Sequence, residues 1–147
     1  MAPEQQITRD IVIAAPPAAV FGVLTDPRRH TDFDGSGTVK NSISGPDRLT
    51  MGAKFGTSMK MFGVPYRIPN TVVEFEEDRR IAWAHPGKHR WRYELAPVEG
   101  GTRVTETCDF STSPASAVLV RTPFARWNAE GIEKTLPRLK ALVENGG

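Results

Sequence analysis

The sequence predicts an α+β fold in which a curved antiparallel sheet is followed by one long C-terminal helix. Trp83, Trp91 and Tyr93 alternate along strand-like runs separated by turn-forming residues, and this period of two is typical of strands. From Ser113 to Asn145 the apolar residues follow a helical period instead. A helix in the concave face of the sheet would leave a cavity between them, so the pattern favours binding of a small, mostly apolar molecule.

The other elements follow from the same two periods and from the turn residues between them. Gln6–Ala14 predicts the first strand, and prolines near their first turns open two short helices over Ala18–Thr25 and Arg28–Thr31. Because only short breaks separate the later strands, we expect them to pair antiparallel. These six strands are predicted over Thr38–Ser44, Ala53–Phe62, Tyr66–Glu76, Arg80–His85, Lys88–Leu95 and Thr102–Phe110.

Prolines divide the C-terminal helical region. Ser113-Pro114 and Thr122-Pro123 predict a short helix over Pro114–Arg121, then a bend, then the long helix. Pro137 removes one hydrogen bond from the long helix, so we expect a kink there.

Composition limits the classes of function. The chain has 147 residues, enough for one domain with a real core, a net charge of +2 and one cysteine. This charge argues against nucleic-acid binding, and a single cysteine excludes a disulfide framework within a monomer. The start of the chain lacks the pattern of a signal peptide, and no apolar run reaches the ~18 residues that span a bilayer. We expect a cytoplasmic protein, monomeric or homodimeric, that is not inserted in a membrane.

Four strings resemble the START-like superfamily, also called SRPBCC or polyketide cyclase/dehydrase-like: AAPPAAVFGVLTDPRRHTDFDGSG, VVEFEEDRRIAWAH, HRWRYELAPVEGGTRVTETCDF and LPRLKALVE. The resemblance covers about Ile7 to Glu144 and implies one START-like domain over residues 1–147. It implies a helix-grip fold, with seven antiparallel strands around the long helix and the two short helices closing one end. Its members include lipid carriers, hormone receptors, polyketide cyclases and Hsp90 co-chaperones, so it implies a cavity more firmly than a reaction.

Glu106 is the leading candidate for acid–base chemistry. Val104, Glu106 and Cys108 share one face of the last strand, and this mostly apolar face is predicted to point inward. Burial raises the pKa of a carboxyl group, which suits a general acid or base. The alternative is a structural role, near the cavity mouth or paired with an arginine. Cys108 is interpreted as a small buried hydrophobic residue.

Tyr93, His85 and His89 complete the candidate catalytic set. Tyr93 would donate its hydroxyl to a ligand oxygen. The short Pro86-Gly87 turn would bring the two histidines together, where they would move protons or join Glu106 at a metal. The alternative is that both lie in water at the rim of the sheet. The sequence holds no metal-binding motif, so we expect neither a metal nor a cofactor.

The predicted ligand-binding residues form the wall of the cavity. Alternation along the third strand separates an inner set from Lys54, Ser58 and Lys60, and methionines would make that wall adaptable. Ordinary core filling is the alternative for the two methionines. The whole predicted set comprises Phe55, Thr57, Met59, Met61, Asn70, Trp83, Trp91, Tyr93 and Trp127.

The segment from His30 to Gly37 is predicted to be a mobile gate, with Asp34 and Ser36 as turn formers. Three functions follow from the sequence as a whole. The first is binding of a small hydrophobic molecule, such as a lipid or an aromatic polyketide. The second is a cyclase or dehydratase that uses the same cavity. The third is a co-chaperone-like interaction module.

Overall fold

The computed structural model describes residues 6–33, 39–61, 64–84, 90–109, 111 and 124–145. Its helices are α1 (Pro17–Leu24), a 3-10 turn (Pro27–Arg29), α2 (His30–Phe33) and α3 (Phe124–Glu144). Its strands are β1 (Gln6–Ile13), β2 (Val39–Ser44), β3 (Lys54–Met61), β4 (Val64–Glu76), β5 (Arg80–Ala84), β6 (Arg90–Val98) and β7 (Gly101–Asp109).

The strands form one antiparallel sheet in the order β1-β7-β6-β5-β4-β3-β2. The predicted α+β architecture, an antiparallel sheet with a C-terminal helix, is confirmed. Two strands were predicted too short, because β4 begins at Val64 and β6 continues to Val98. The predicted short helix over Pro114–Arg121 and the predicted strand ends Thr38, Phe62, His85, Lys88 and Phe110 lie outside the described residues.

The second short helix, predicted over Arg28–Thr31, is present but extends from Pro27 to Phe33. The segment begins as a 3-10 turn and becomes the one-turn helix α2 at His30. Pro27 lacks a backbone N–H, which suits the start of a turn, and the Arg29 N–H donates to the Asp26 carbonyl at 3.0 Å. Arg29 also pairs with the exposed Asp32 at 2.9 Å. The helical part therefore begins later and carries His30 and Phe33 into the core.

Helix α3 lies along the edge strand β1 and runs in the same direction. Lys140 donates to the Val12 carbonyl at 3.0 Å, and the Ala14 N–H donates to the Glu144 carboxylate at 2.8 Å. Nearer the start of both elements, Arg9 of β1 pairs with Glu133 of α3 at 3.3 Å. These side chains satisfy backbone groups that an edge strand otherwise exposes, so the helix also protects this edge from pairing with another chain.

Helix α1 closes one end of the interior. Its Phe21 and Leu24 are fully buried, and the Leu49 N–H donates to the Thr25 carbonyl at 2.7 Å. At the start of β7 the Thr102 hydroxyl donates to the Ala15 carbonyl, also at 2.7 Å. The end of the sheet where β1 finishes and β7 begins is therefore tied to the chain that enters and leaves α1.

The opposite face of the sheet carries a charged cluster. Glu74 accepts hydrogen bonds from Arg92 at 2.8 and 3.0 Å and from Arg90 at 2.8 Å. The hydrogen bonds from Arg92 and then Arg90 lower the pKa of Glu74 to about 2, against the opposing effect of partial burial. Arg92 also lies 3.5 Å from Asp109. The two arginines on either side of Trp91 are therefore engaged in ion pairs.

Candidate functional site

Tyr93 and Glu106 form a hydrogen-bonded pair inside the protein. They lie directly opposite each other on β6 and β7, and the Tyr93 hydroxyl donates to Glu106 Oε2 at 2.8 Å. Only 3% of Tyr93 and 2% of Glu106 are exposed. The prediction that both residues face inward is confirmed. The structure shows Tyr93 as a hydrogen-bond partner of Glu106.

Tyr93 belongs to a ring cluster that consists of His30, Phe33, Phe55, Trp83 and Tyr93. The Trp83 ring lies 5.6 Å from the Tyr93 ring and 5.5 Å from Phe55. Phe33 meets Tyr93 edge-on at 6.4 Å. Rings in these arrangements attract each other beyond their burial of apolar area. The hydroxyl and carboxyl groups therefore lie at one side of an aromatic, mostly apolar interior.

Sequence reasoning assigned neither Phe33 nor His30 to the ring cluster, and the less expected of the two is His30. Its ring stacks on Trp83 at 4.8 Å and 23°, and its Nε2 lies 2.9 Å from the Leu24 carbonyl oxygen. His30 is buried, with 6% exposure, so it does not belong to an exposed gate. Residues 34–38 of the predicted gate lie outside the described part. The spacing of His30 and Phe33 puts them on one face of a helical turn, but a single pair does not indicate that this face is buried.

Phe55 and Asn70 extend the wall onto β3 and β4. They face each other in the register, and both are buried. The Asn70 amide donates to the Phe55 carbonyl at 3.5 Å, which is long for a hydrogen bond. Trp91, on β6, is half-buried against the core. The inward placement of these predicted wall residues is confirmed, whereas their contact with a ligand stays a prediction.

Six predicted site residues have no described side-chain position. His85 and His89 lie outside the described residues. The backbones of Thr57, Met59 and Met61 on β3, and of Trp127 on α3, are described without their side chains. The proposed roles of all six stay predictions.

Cys108 is fully buried and lies on β7, two residues after Glu106. Burial, and then the charges of Glu106 and Asp109, raise the pKa of the thiol far above its ordinary value. A thiol held in its protonated form is a poor nucleophile, which agrees with the interpretation of Cys108 as a packing residue. Across the described ranges, no three His, Cys, Asp or Glu residues group as metal ligands would.

A separate cleft of about 360 Å³ lies on the outside, between α2 and the second half of α3. Asp32, Arg138, Ala141, Leu142 and Asn145 line it. None of these belongs to the ring cluster, so the cleft and the Tyr93–Glu106 pair are distinct features. Within the part of the chain that the structure covers, no helix has the length and apolar character needed to span a membrane.

The interior arrangement offers two kinds of chemistry. A hydroxyl donor and a carboxyl group 2.8 Å apart can hold one polar group of an otherwise apolar molecule. The same two groups can pass a proton to or from a bound molecule. The aromatic rings would contact the flat or apolar remainder of that molecule.

Comparison with known proteins gives a match over nearly the whole chain. A family described as "Polyketide cyclase / dehydrase and lipid transport" matches residues 4–144. A relative named "Uncharacterized protein Rv0088", from Mycobacterium tuberculosis strain H37Rv, is 43% identical over 146 residues. The match covers 96% of this chain and 65% of that relative. This chain therefore spans just under two thirds of the relative's length.

Solved structures share the fold. The Aha1 dimer from Colwellia psychrerythraea matches with a TM-score of 0.71 and 20% identity, over 96% of this chain and 97% of that one. DynU16, a protein of the dynemicin biosynthetic locus, matches with a TM-score of 0.65 and 21% identity, over 98% of this chain and 49% of that one. At these identities the likeness shows the fold alone.

Proposed function

Because the chain belongs to the family of polyketide cyclases, dehydrases and lipid-transport proteins, we propose that it binds a small, mostly apolar molecule between its sheet and α3. The observation that carries this proposal is the Tyr93–Glu106 hydrogen bond in the aromatic interior. A carboxyl group is costly to bury, and an apolar residue of similar size would fill the same space at lower cost. A role in recognising a ligand accounts for keeping the polar pair.

The lining suggests the class of ligand. Trp83, Tyr93, Phe33 and Phe55 present rings that suit flat, fused-ring molecules or an alkyl chain. Tyr93 and Glu106 suit one hydroxyl or carbonyl group on that molecule. An aromatic polyketide-like compound or a lipid with a single polar group fits both requirements.

Native mass spectrometry of gently purified protein, with extraction of any bound compound, tests whether a ligand is carried. We expect a stoichiometric adduct of low polarity. Calorimetric titration with 1-naphthol, a two-ring molecule with one hydroxyl, then tests the site itself. Tyr93→Phe should weaken 1-naphthol binding about 2–12-fold, the usual range for one hydrogen bond.

Glu94→Gln is the matched control for changes at Glu106. It removes a carboxylate from the neighbouring strand, where Glu94 is exposed and pairs with Arg80 at 3.5 Å. This variant should bind 1-naphthol like the wild type, whereas Glu106→Gln should bind it about 2–12-fold more weakly. A wild type that carries no adduct and binds no 1-naphthol would contradict the proposal.

A cyclase- or dehydratase-type enzyme is the second candidate, favoured by the same short contact between Tyr93 and Glu106. A positioned acid or base contributes about 10²–10⁴-fold to a rate. We expect Glu106→Gln to lower turnover of an extracted or related polyketide by that factor while the compound still binds. Unchanged turnover would remove Glu106 from the mechanism. His85 and His89 remain candidates for a second proton-transfer group.

The interaction-module alternative needs a large exposed apolar patch. The large exposed apolar side chains among the described residues are Val12 on β1, Met51 before β3 and Val64 at the start of β4. They lie on separate elements, so the small-molecule site is favoured.

A further inference from the structure

His30 links the end of helix α1 to the aromatic interior. Leu24 is the last residue of α1, and its carbonyl group is one of those that a helix leaves without an intrahelical partner. The His30 Nε2 lies 2.9 Å from that carbonyl oxygen, and both residues are buried. Because a carbonyl oxygen only accepts hydrogen bonds, Nε2 carries a proton and donates it. This bond fixes the direction in which the imidazole ring points.

Two further rings hold the imidazole from the sides. Phe33 and Phe55 each lie with their ring centroids 5.3 Å from that of His30, at angles of 64° and 83° to its plane. Phe33 belongs to the same short helix α2, whereas Phe55 comes from β3. One hydrogen bond and two edge-on rings therefore fix His30 in the core.

The rings of His30, Trp83 and Tyr93 follow one another in roughly parallel planes. His30 stacks on Trp83 at 4.8 Å and 23°, and Trp83 lies 5.6 Å from Tyr93 at 36°. Phe55 stands at 84° to Trp83, and Phe33 stands at 86° to Tyr93. The interior therefore presents aromatic faces of similar orientation, with perpendicular rings beside them.

The plane of the Trp83 ring depends on His30. Hydrogen bonds of the sheet fix the backbone of Trp83, which pairs with Val72 and Trp91. They do not fix the rotation of the indole ring, which depends on the groups that pack against its faces. His30 lies against one of those faces. Trp83 in turn packs beside Tyr93, whose hydroxyl donates to Glu106 at 2.8 Å.

We propose that His30 is a positioning residue that makes the interior selective for a flat aromatic molecule. It holds the plane of Trp83, and the planes of Trp83 and Tyr93 then offer a flat ring the offset or edge-on arrangements in which aromatic rings attract each other. A saturated molecule of the same size gains burial but not this attraction. The inference rests on the proposed function and narrows its ligand class to flat aromatic compounds.

Calorimetric titration with two probes of the same carbon skeleton tests the inference. 1-Naphthol is flat and aromatic, decahydro-1-naphthol is its saturated and puckered counterpart, and each carries one hydroxyl. Attraction between aromatic rings should give the wild type about 2–12-fold higher affinity for 1-naphthol. The quantity compared between variants is the ratio of the two affinities, because a loss of stability alone weakens the binding of both probes and leaves their ratio unchanged.

Three substitutions of His30 separate its ring from its hydrogen bond. His30→Leu fills the space without a flat ring and should abolish the preference for 1-naphthol. His30→Gln keeps a donor for the Leu24 carbonyl but has no ring, so it should also abolish the preference, and it serves as the test if His30→Leu does not fold. His30→Phe returns a flat ring to the face of Trp83 and should restore most of the preference, although it loses the hydrogen bond.

Phe21→Leu is the matched control. Phe21 is fully buried on α1, and its ring lies edge-on to Phe75 at 5.5 Å, outside the ring cluster. This variant also removes an aromatic ring from the core, so it should lower the free energy of unfolding while the preference for 1-naphthol is kept. Circular dichroism establishes that each variant is folded.

The possible failures can be told apart. Equal binding of the two probes by the wild type, or a preference that survives in folded His30→Leu and His30→Gln, would overturn this inference and leave the proposed function standing. Loss of the preference in Phe21→Leu would show that any buried ring supports it, which would also overturn the role of His30. A wild type that binds neither probe would overturn the proposed function, and this inference with it.

Discussion

Removing the Tyr93 hydroxyl is the most direct perturbation of the interior site. In Tyr93→Phe the donor to Glu106 Oε2 is lost while the ring keeps its place beside Trp83. Because both residues are almost fully buried, water does not readily replace the lost donor. Weakening the hydrogen bonding of a buried carboxyl costs about 1–3 kcal/mol in the free energy of unfolding. For a chain of this size that corresponds to a fall in Tm of roughly 2–12 °C.

Urea unfolding followed by circular dichroism at neutral pH measures this cost. The single variants Tyr93→Phe and Glu106→Gln, together with the double variant, form a thermodynamic cycle. We expect a coupling energy of about 1–2 kcal/mol between the two positions. Thr8→Val is the control, because it also removes a hydroxyl that bridges neighbouring strands, Thr8 to Thr107 at 3.2 Å, but at an exposed position. Water can take over that contact, so its cost should stay below about 1 kcal/mol.

Two results would refute this reasoning. A coupling energy near zero would mean that the Tyr93 hydroxyl and the Glu106 carboxyl do not depend on each other in solution. A Tyr93→Phe variant no less stable than Thr8→Val would mean that burial does not make the hydroxyl valuable. Either result would also remove the observation on which the proposed function rests.

Three further predictions concern the frame around the site. The pKa of Glu74 falls from 4.5 to about 2 on folding. Its contribution to the free energy of unfolding is therefore complete above pH ~5 and is lost as the pH falls toward 2. Urea titrations in acid should show a loss of about 3 kcal/mol for the wild type but not for Glu74→Gln. Gly101→Ala should destabilise the fold by several kcal/mol in urea titrations, because a Cβ there would lie 1.9 Å from the Ile13 carbonyl oxygen; ordinary stability would refute the close approach. Buried Cys108, whose thiol pKa is raised, should react with iodoacetamide only after unfolding; rapid labelling of folded protein would contradict its burial.

The local part of the site could be predicted from the sequence. Alternation on β6 and β7 placed Tyr93 and Glu106 on inward faces, because a strand's side chains alternate whatever its neighbours are. Their contact also depends on register, which the turn sets. The sequence was divided at Glu99-Gly100-Gly101, with the preceding strand ending at Leu95. The actual turn is Glu99-Gly100, with a left-handed φ of 83° at Gly100 and pairing from Val98 to Gly101.

His30 could not be assigned to the site in the same way. A helix of four residues is too short to show an apolar face by periodicity. Whether His30 is buried depends on Trp83 and Phe55, which come from strands more than twenty residues away in sequence. From sequence alone, a polar residue in a short connecting helix is therefore predicted to be exposed.

Burial of Glu106 connects binding to a conformational change. With 2% of Glu106 exposed, a molecule that reaches it must first displace side chains of the ring cluster. The end of the interior at α1 resists such movement, because hydrogen bonds tie Thr25 to Leu49 and Ala15 to Thr102. Opening is therefore favoured at the other end, where the β3–β4 hairpin projects. Only the open molecules can bind, so the apparent affinity for any ligand is the intrinsic affinity multiplied by the fraction of molecules that are open.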